Sequence, residues 1–343
     1  MGNPWSTPKI DGLYKNKKAI FITAFLFFAL IFIFFLSLCC GRYEIPLKDI
    51  FNFVLNQNIN PMSERIIRYL RIPRTLLSTL IGIALALSGT IYQSIFNNKL
   101  VSPDLLGVSS GASVGACIAI LLDMSDFVTT SFAFISGCLT VITTRLISKI
   151  FKNSSNIILL LSGIAMGGLM SSLVGLLKYL ADDEMKLSEM TYWLLGDISK
   201  ATYKDVISIG PIIIICVAIS VFLSWQLNIL SLGHKESISL GINYNFLMNI
   251  FIIIATLLTA CAVAVSGVIS WVGLVIPNIV RLFLGNDNKI VVPISILSGA
   301  IYMMIVDIFA RSLAPNEIPL SVITGIAGTP IFLFALFRQQ AQI

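Results

Sequence analysis

The chain has 343 residues, of which 57% are apolar and only 12% charged, with a mean hydropathy of +0.92; a soluble fold of this size needs far more surface charge. A bilayer-crossing helix takes roughly 20 mostly apolar residues, and such runs recur from Ala19 to Phe337, so a soluble enzyme, a secreted disulfide scaffold and a disordered chain are all excluded. The net charge of +6 is read loop by loop as topology, because no basic cluster is left over for nucleic acid.

The first apolar run, 19–40, follows Lys15, Lys17 and Lys18. It is longer than a signal-peptide h-region and lacks an A-x-A end, so it is expected to stay as a span. An outer loop, 41–73, leads to a second span at 74–96. Further spans fall near 105–122, 127–145, 156–177, 206–226, 246–266, 268–285, 290–311 and 320–337, ten in all. The short run 105–122 and the run 268–285, interrupted by Pro277, are expected as broken or tilted helices packed inside protein. The outer loop 178–205 carries Asp182, Asp183, Glu184 and Glu189 before Met190, Tyr192, Trp193 and Leu194, a pattern suited to an interfacial helix. The span count puts both ends on one side. Lys15, Lys17 and Lys18, with Arg145, Lys149 and Lys152, mark that side as cytoplasmic, although the 23 Lys and Arg divide almost evenly between the faces.

Much of the outer positive charge is one cluster. Arg65, Arg68, Arg71 and Arg74 lie at the start of the second span, with Pro73 in its first turn. Cations there oppose both the positive-inside trend and the helix dipole. Arg65 and Arg68 can snorkel to lipid headgroups or meet a partner; Arg71 and Arg74 are expected to face an acidic partner outside.

Catalytic chemistry is sparse. There is no phosphate-binding G-x-x-x-x-G-K-[ST] loop and no H-E-x-x-H, so any ATP drive must come from another subunit. His234, the single histidine, lies in an inner polar loop and reads as solvated. Cys39, Cys40, Cys117, Cys138, Cys216 and Cys261 all fall in apolar stretches without metal spacing and read as small packing residues. Asp307 is the clearest intramembrane charge, and its i,i+4 spacing from Arg311 allows the two to pair on one helix face. A proton relay needs more carboxylates than that. Gly107, Gly111 and Gly115 form successive G-x-x-x-G steps, as do Gly163 and Gly167; tight helix packing is their first reading and a wide solute path their second.

From residue 71 onward R-I-P-R-T-L at Arg71, S-P-D-L-L-G at Ser102, the two L-G steps at Leu232 and Leu240 and D-I-F-A-R at Asp307 follow in an order that resembles the permease subunits of ABC importers for iron-siderophore, haem and cobalamin, the FecCD type. The run begins with R-I-P-R-T-L at Arg71, A-L-S-G at Ala86 and S-P-D-L-L-G-V-S-S-G-A at Ser102. It continues with L-L-L-S-G-I-A from Leu159 to Ala165, Y-W-L-L-G at Tyr192, and L-N-I-L-S-L-G-H-K-E-S-I-S-L-G from Leu227 to Gly241. It closes with G-V-I-S-W-V-G-L-V-I-P-N-I-V-R from Gly267, D-I-F-A-R at Asp307, E-I-P at Glu317 and G-T-P-I-F at Gly328.

The resemblance implies an all-α polytopic fold of ten transmembrane helices, the type II importer permease fold, with residues 1–18 a cytoplasmic tail and 19–343 a single transmembrane domain. It also implies a second permease subunit, identical or a paralogue, two ATPase subunits inside and a solute-binding protein outside. The chain itself would be non-catalytic, without a resident cofactor or metal, and would lie in the cell membrane with both termini in the cytoplasm. By the same resemblance Arg71, Arg74 and Arg311 match the family's docking arginines for the binding protein. The segment Ser231 to Gly241 matches its ATPase coupling helix, with Leu232, Gly233, His234, Leu240 and Gly241 as the carried-over positions. Asn98 and Leu100, with Ser154 and Ser155, match its cytoplasmic gate. Four residues depart from the family pattern: Lys99 and Val268 stand where it usually has proline, Asn278 where it has histidine, and Ser321 where it has glycine. The implied solute is a ferric siderophore first, haem second and cobalamin third. Rival readings are a stand-alone carrier or channel, which would work without an ATPase, and an intramembrane enzyme, which would turn over substrate as a single chain.

Overall fold

In hydrocarbon each backbone N–H and C=O must find its partner inside the protein, so apolar runs of this length fold as helices. The computed structural model describes residues 8–340 except 42, 44, 56, 58, 152–155 and 182, and no strand occurs among the described residues. The helices in chain order are α1 (Pro8–Cys39), α2 (Leu47–Val54), α3 (Pro61–Ile66), α4 (Ile72–Ile95), α5 (Val108–Leu121), α6 (Asp126–Ile150), α7 (Asn156–Tyr179) and α8 (Glu184–Leu195). They are followed by α9 (Tyr203–Phe222), α10 (Ser224–Leu230), α11 (His234–Ser239), α12 (Tyr244–Ser266), α13 (Val272–Leu284), α14 (Asn288–Ser312) and α15 (Leu320–Gln340). A π turn, Ile67–Arg71, joins α3 to α4.

Eight of the helices are long and apolar enough to cross a membrane, and α5 and α13 are shorter apolar helices. These two are the runs that the sequence marks as short or interrupted. At 1.5 Å per residue, the 14 residues of α5 reach only about 21 Å, less than the hydrocarbon thickness. Most of α5 is buried, so the body of this short helix is packed against protein rather than lipid. Its start is a 3-10 turn, Pro103–Leu106, closed by Gly107 at φ +83°.

The centre of the bundle is α4 and α12, whose apolar windows are mostly buried, while α1 lies at the edge with Phe21, Phe25, Phe28 and Phe32 exposed. Glycines set the closest crossings. A Cβ on Gly82 would lie 2.2 Å from the Gly299 carbonyl oxygen, and one on Gly89 would lie 1.8 Å from that of Gly273, so α4 meets α14 and α13 backbone to backbone. The same test supports the packing reading of Gly111, Gly115 and Gly163, which meet Thr140, Phe132 and Leu105 at 2.1, 2.3 and 2.2 Å. The outer loop before α9 holds a helix as expected: α8 is capped by the Asp183 side chain, which accepts from the Met185 N–H at 2.9 Å. Asp182 lies outside the described residues.

Candidate functional site

Around the C-terminal end of α1 and the start of α4 the three singled-out arginines are all buried, with 4%, 8% and 5% exposure for Arg71, Arg74 and Arg311. Arg71 ends the π turn, and its guanidinium donates to the carbonyls of Leu38, Cys39 and Tyr43. It thereby caps the C-terminal end of α1, where a cation is favoured. Arg74 donates to Asp307 at 2.7 Å and pairs with Glu317 at 2.9 Å. Arg311 donates to the Ser37 hydroxyl at 2.6 Å and carbonyl at 2.8 Å, and its Nε lies 3.4 Å from Asp307. Asp307 itself is fully buried.

Within the chain the carboxylates of Asp307 and Glu317 face Arg74, and the partners of Arg71 are backbone carbonyls. A guanidinium this deep would be costly without such partners. The expected Asp307–Arg311 pair forms, but as one edge of a network joining α1, α4 and α14. Glu317 is the residue that sequence reading missed; its signal was the E-I-P step directly after the end of α14. Arg65 and Arg68 are exposed, and Arg68 pairs with Glu64 at 2.9 Å.

At its C-terminal end, α4 stops in a tightly bonded turn. Asn97 takes φ +45°, the Asn98 N–H donates to the Gln93 carbonyl at 3.1 Å, and the Asn98 side chain accepts from the Leu100 N–H at 2.9 Å. The amide of Asn278 donates to the Lys99 carbonyl at 2.8 Å, and also to that of Leu274 at 2.8 Å. Two departures from the family pattern therefore touch each other. A proline at position 99 would set φ by its ring; with lysine there, a side-chain hydrogen bond from α13 holds the turn. The other two departures also meet, because the Ser321 hydroxyl donates to the Val268 carbonyl at 2.5 Å.

Ser154 and Ser155, the second half of the expected gate, lie outside the described residues. The next residue, Asn156, donates to the Ile95 carbonyl at 3.1 Å and to the Tyr244 hydroxyl at 3.0 Å, so the start of α7 is tied to the end of α4. Partial burial and the neighbouring Arg281 hold the Lys99 ammonium below the ordinary lysine pKa.

The coupling segment lies beyond α10. Gly233 and Gly241 take φ +108° and +78°, which explains the two L-G steps, since L-residues with a side chain rarely adopt that region. Between them α11 is anchored by Ser237, whose hydroxyl donates to the carbonyls of Ile229 and Gly233 at 2.8 and 2.6 Å. Leu232 and Leu240 point outward, 57% and 59% exposed. His234 packs edge-on to Tyr244 with ring centroids 5.0 Å apart. The result is a short, hydrogen-bonded helix flanked by two exposed leucines, an apolar surface in a polar loop.

A cavity of about 350 Å³ is lined by Asp104, Ser109, Ser110, Ser113, Ser171 and Val268. Sequence reading saw the glycines of this region as packing residues and passed over the serines interleaved with them. Among the described residues no group of three His, Cys, Asp or Glu side chains could hold a metal ion.

Eight membrane-length helices, two short helices packed among them and an exposed apolar step on the polar loop after α10 are the architecture of a multi-pass membrane protein. The family described as the FecCD transport family matches residues 29–338, and the chain belongs to that family of ABC importer permeases. The chain is similar to the molybdate import system permease protein MolB of Haemophilus influenzae, at 36% identity over 98% of this chain and 97% of that protein. It is 32% identical to the Fe(3+) dicitrate transport system permease protein FecC of Escherichia coli, over 91% of this chain and 95% of that protein. A solved metal-chelate type ABC transporter in an inward-facing conformation superposes with a TM-score of 0.85 at 35% identity, covering 92% of this chain and 99% of that one.

Proposed function

We propose that this chain is the membrane-spanning permease of an ATP-driven importer, working as one of a pair, either two copies or this chain with a paralogue. Two ATPase subunits seat on the cytoplasmic face, and a solute-binding protein delivers cargo outside. In this reading α5 and α13 complete ten transmembrane helices, residues 19–343 form one domain, the tail 1–18 and the C-terminus are cytoplasmic, and the membrane is the inner or plasma membrane. The observation that carries the reading is the exposed Leu232 and Leu240 about a hydrogen-bonded α11, in a chain that matches the importer family over nearly its whole length. Those leucines enter a groove on the ATPase, and ATP binding moves the coupling helix while the binding protein biases the outer face. Each partner must favour one of the two states, or neither could shift the equilibrium.

The binding protein docks over the outer arginine cluster. Arg71, Arg74 and Arg311 shape that face by holding α1, α4 and α14 together, and exposed Arg65 offers a positive charge to an acidic partner. Asn98 and Leu100, with Ser154 and Ser155, close the inner end. The chain performs no covalent chemistry. The leading cargo is a ferric siderophore, with haem and cobalamin behind it. A second reading, molybdate, is favoured by the near full-length likeness to a molybdate permease.

The test is affinity purification of the tagged chain from its native membrane in mild detergent, followed by mass spectrometry. Recovery of an ATPase subunit is expected. A chain that reproducibly comes down alone, under conditions that keep other ABC complexes intact, would leave the family likeness as fold only.

A further inference from the structure

The turn after α4 carries Lys99, whose carbonyl is bound by Asn278 of α13, and one helical turn further along α13 stands a second cation, Arg281, also without a carboxylate. Arg281 is buried, and its guanidinium donates to the Ser94 hydroxyl at 2.8 Å, to Asn288 Oδ1 at 3.0 Å, and at 3.4 Å to the carbonyls of Thr90 and Asn286. All of these acceptors are neutral. Partial burial, and after it the charge of Arg281, disfavours the Lys99 ammonium, and among the described residues neither cation makes an ion pair. Asp287 does not neutralise them; its carboxylate accepts from Asn228 at 2.7 Å and from the Lys289 N–H at 3.0 Å.

Donors are also left over. Arg281 Nε and Asn288 Nδ2 are buried and have no acceptor, and they belong to two groups already bonded to each other. Gln93 Oε1 and Asn278 Oδ1 are buried acceptors without a donor, and water in an anion's hydration shell can serve them. A lysine placed only to mark the cytoplasmic side would extend into solvent away from other cations. Lys99 instead sits on a backbone locked by Asn278, beside Arg281, between the two residues assigned to the gate.

We infer that Lys99 and Arg281 form a cationic threshold at the inner mouth that receives a solute bearing anionic oxygens, either a free oxyanion or an anionic metal chelate. The inference rests on the permease reading and narrows its cargo. A solute leaving the gate would meet the Lys99 ammonium first, with the Arg281 and Asn288 donors behind it. A neutral or cationic chelate would gain nothing from this arrangement and would leave its like-charge cost uncompensated.

Two measurements test it. In the purified chain carrying Leu100→Cys, an exposed position that keeps Lys99 in place, the new thiol is labelled with an anionic and a cationic methanethiosulfonate, and the background of the parent chain is subtracted. The anionic reagent should react faster by about tenfold, the lower end of electrostatic focusing in a charged cleft, and Lys99→Gln should bring the two rates together. Equal rates with Lys99 present would overturn the proposal.

The second measurement is ATP-driven uptake of molybdate, ferric dicitrate and cobalamin by the complete complex in liposomes. Transport of either anion that falls at least about tenfold in Lys99→Gln and returns in Lys99→Arg, while ATP hydrolysis persists, supports the threshold and tells the oxyanion from the chelate. Preferential uptake of cobalamin, which carries no net charge, or anion uptake indifferent to Lys99→Gln, would refute it. A failure of the permease reading is seen separately, as a chain that recovers no ATPase, because the labelling needs none.

Discussion

Asp307 is the residue on which the outer end of the bundle depends most. It is fully buried and lies between two guanidiniums, 2.7 Å from that of Arg74 and 3.4 Å from that of Arg311. Asp307→Asn keeps the shape and removes the charge. Arg74 would then keep only Glu317, and Arg311 only the oxygens of Ser37. Removing one partner of a buried ion pair costs about 3–5 kcal/mol, because the other charge is left uncompensated. Glu317→Gln is the internal comparison: its side chain is 28% exposed, and screening limits such a pair to about 1 kcal/mol or less. Both variants can be read by reversible unfolding in dodecyl maltoside micelles titrated with dodecyl sulfate, following helix content. The expected order is a large loss for Asp307→Asn and a small one for Glu317→Gln. If Asp307→Asn stays within about 1 kcal/mol of the parent chain, or if the two losses are equal, the buried network does not hold these helices.

Gly89→Ala would place a methyl group 1.8 Å from the Gly273 carbonyl oxygen; since neither backbone can withdraw cheaply, a loss of at least about 1–3 kcal/mol is expected, measured by the same unfolding titration. Arg71→Gln removes the cationic donor from the carbonyls of Leu38, Cys39 and Tyr43. With charge-assisted hydrogen bonds worth roughly 1.5–3 kcal/mol, amide exchange around residues 38–43 should quicken while the end of α14 stays protected, and unchanged exchange would show the cap to be idle. Leu232→Asp with Leu240→Asp should leave the unfolding curve unchanged, because both side chains are exposed, yet should abolish recovery of the ATPase; full copurification would remove the coupling role from α11.

The membrane-spanning pattern is legible in the sequence because it rests on local quantities. Hydropathy over some twenty residues decides whether a segment can cross, and the same reading picks out 105–122 and 268–285 as the two that fall short, where α5 and α13 are found. Helical spacing likewise exposes the Asp307–Arg311 pair, which needs only one turn of one helix. Gly233 and Gly241 stand out as L-G steps, and their positive φ values supply the reason.

Partner identity is another matter. Arg74 meets Asp307 and Glu317 across 233 and 243 positions of chain, and Asn278 reaches Lys99 across 179; no spacing rule spans such distances. Sequence reading could see that cations at the end of a span need counter-charge, and expected it in a partner protein. The fold supplies carboxylates within the chain, where backbone contact of Gly82 with Gly299 brings α14 against α4. In the same way, Lys99, Val268, Asn278 and Ser321 are four separate oddities along the chain and two bonded pairs in space. Composition and periodicity determined by themselves that this chain crosses a membrane many times and where. Which charge neutralises which, and that Lys99 lies beside Arg281 with no acid to share, was decided only when the helices packed, because electrostatic energies depend on distance in space and not on distance along the chain.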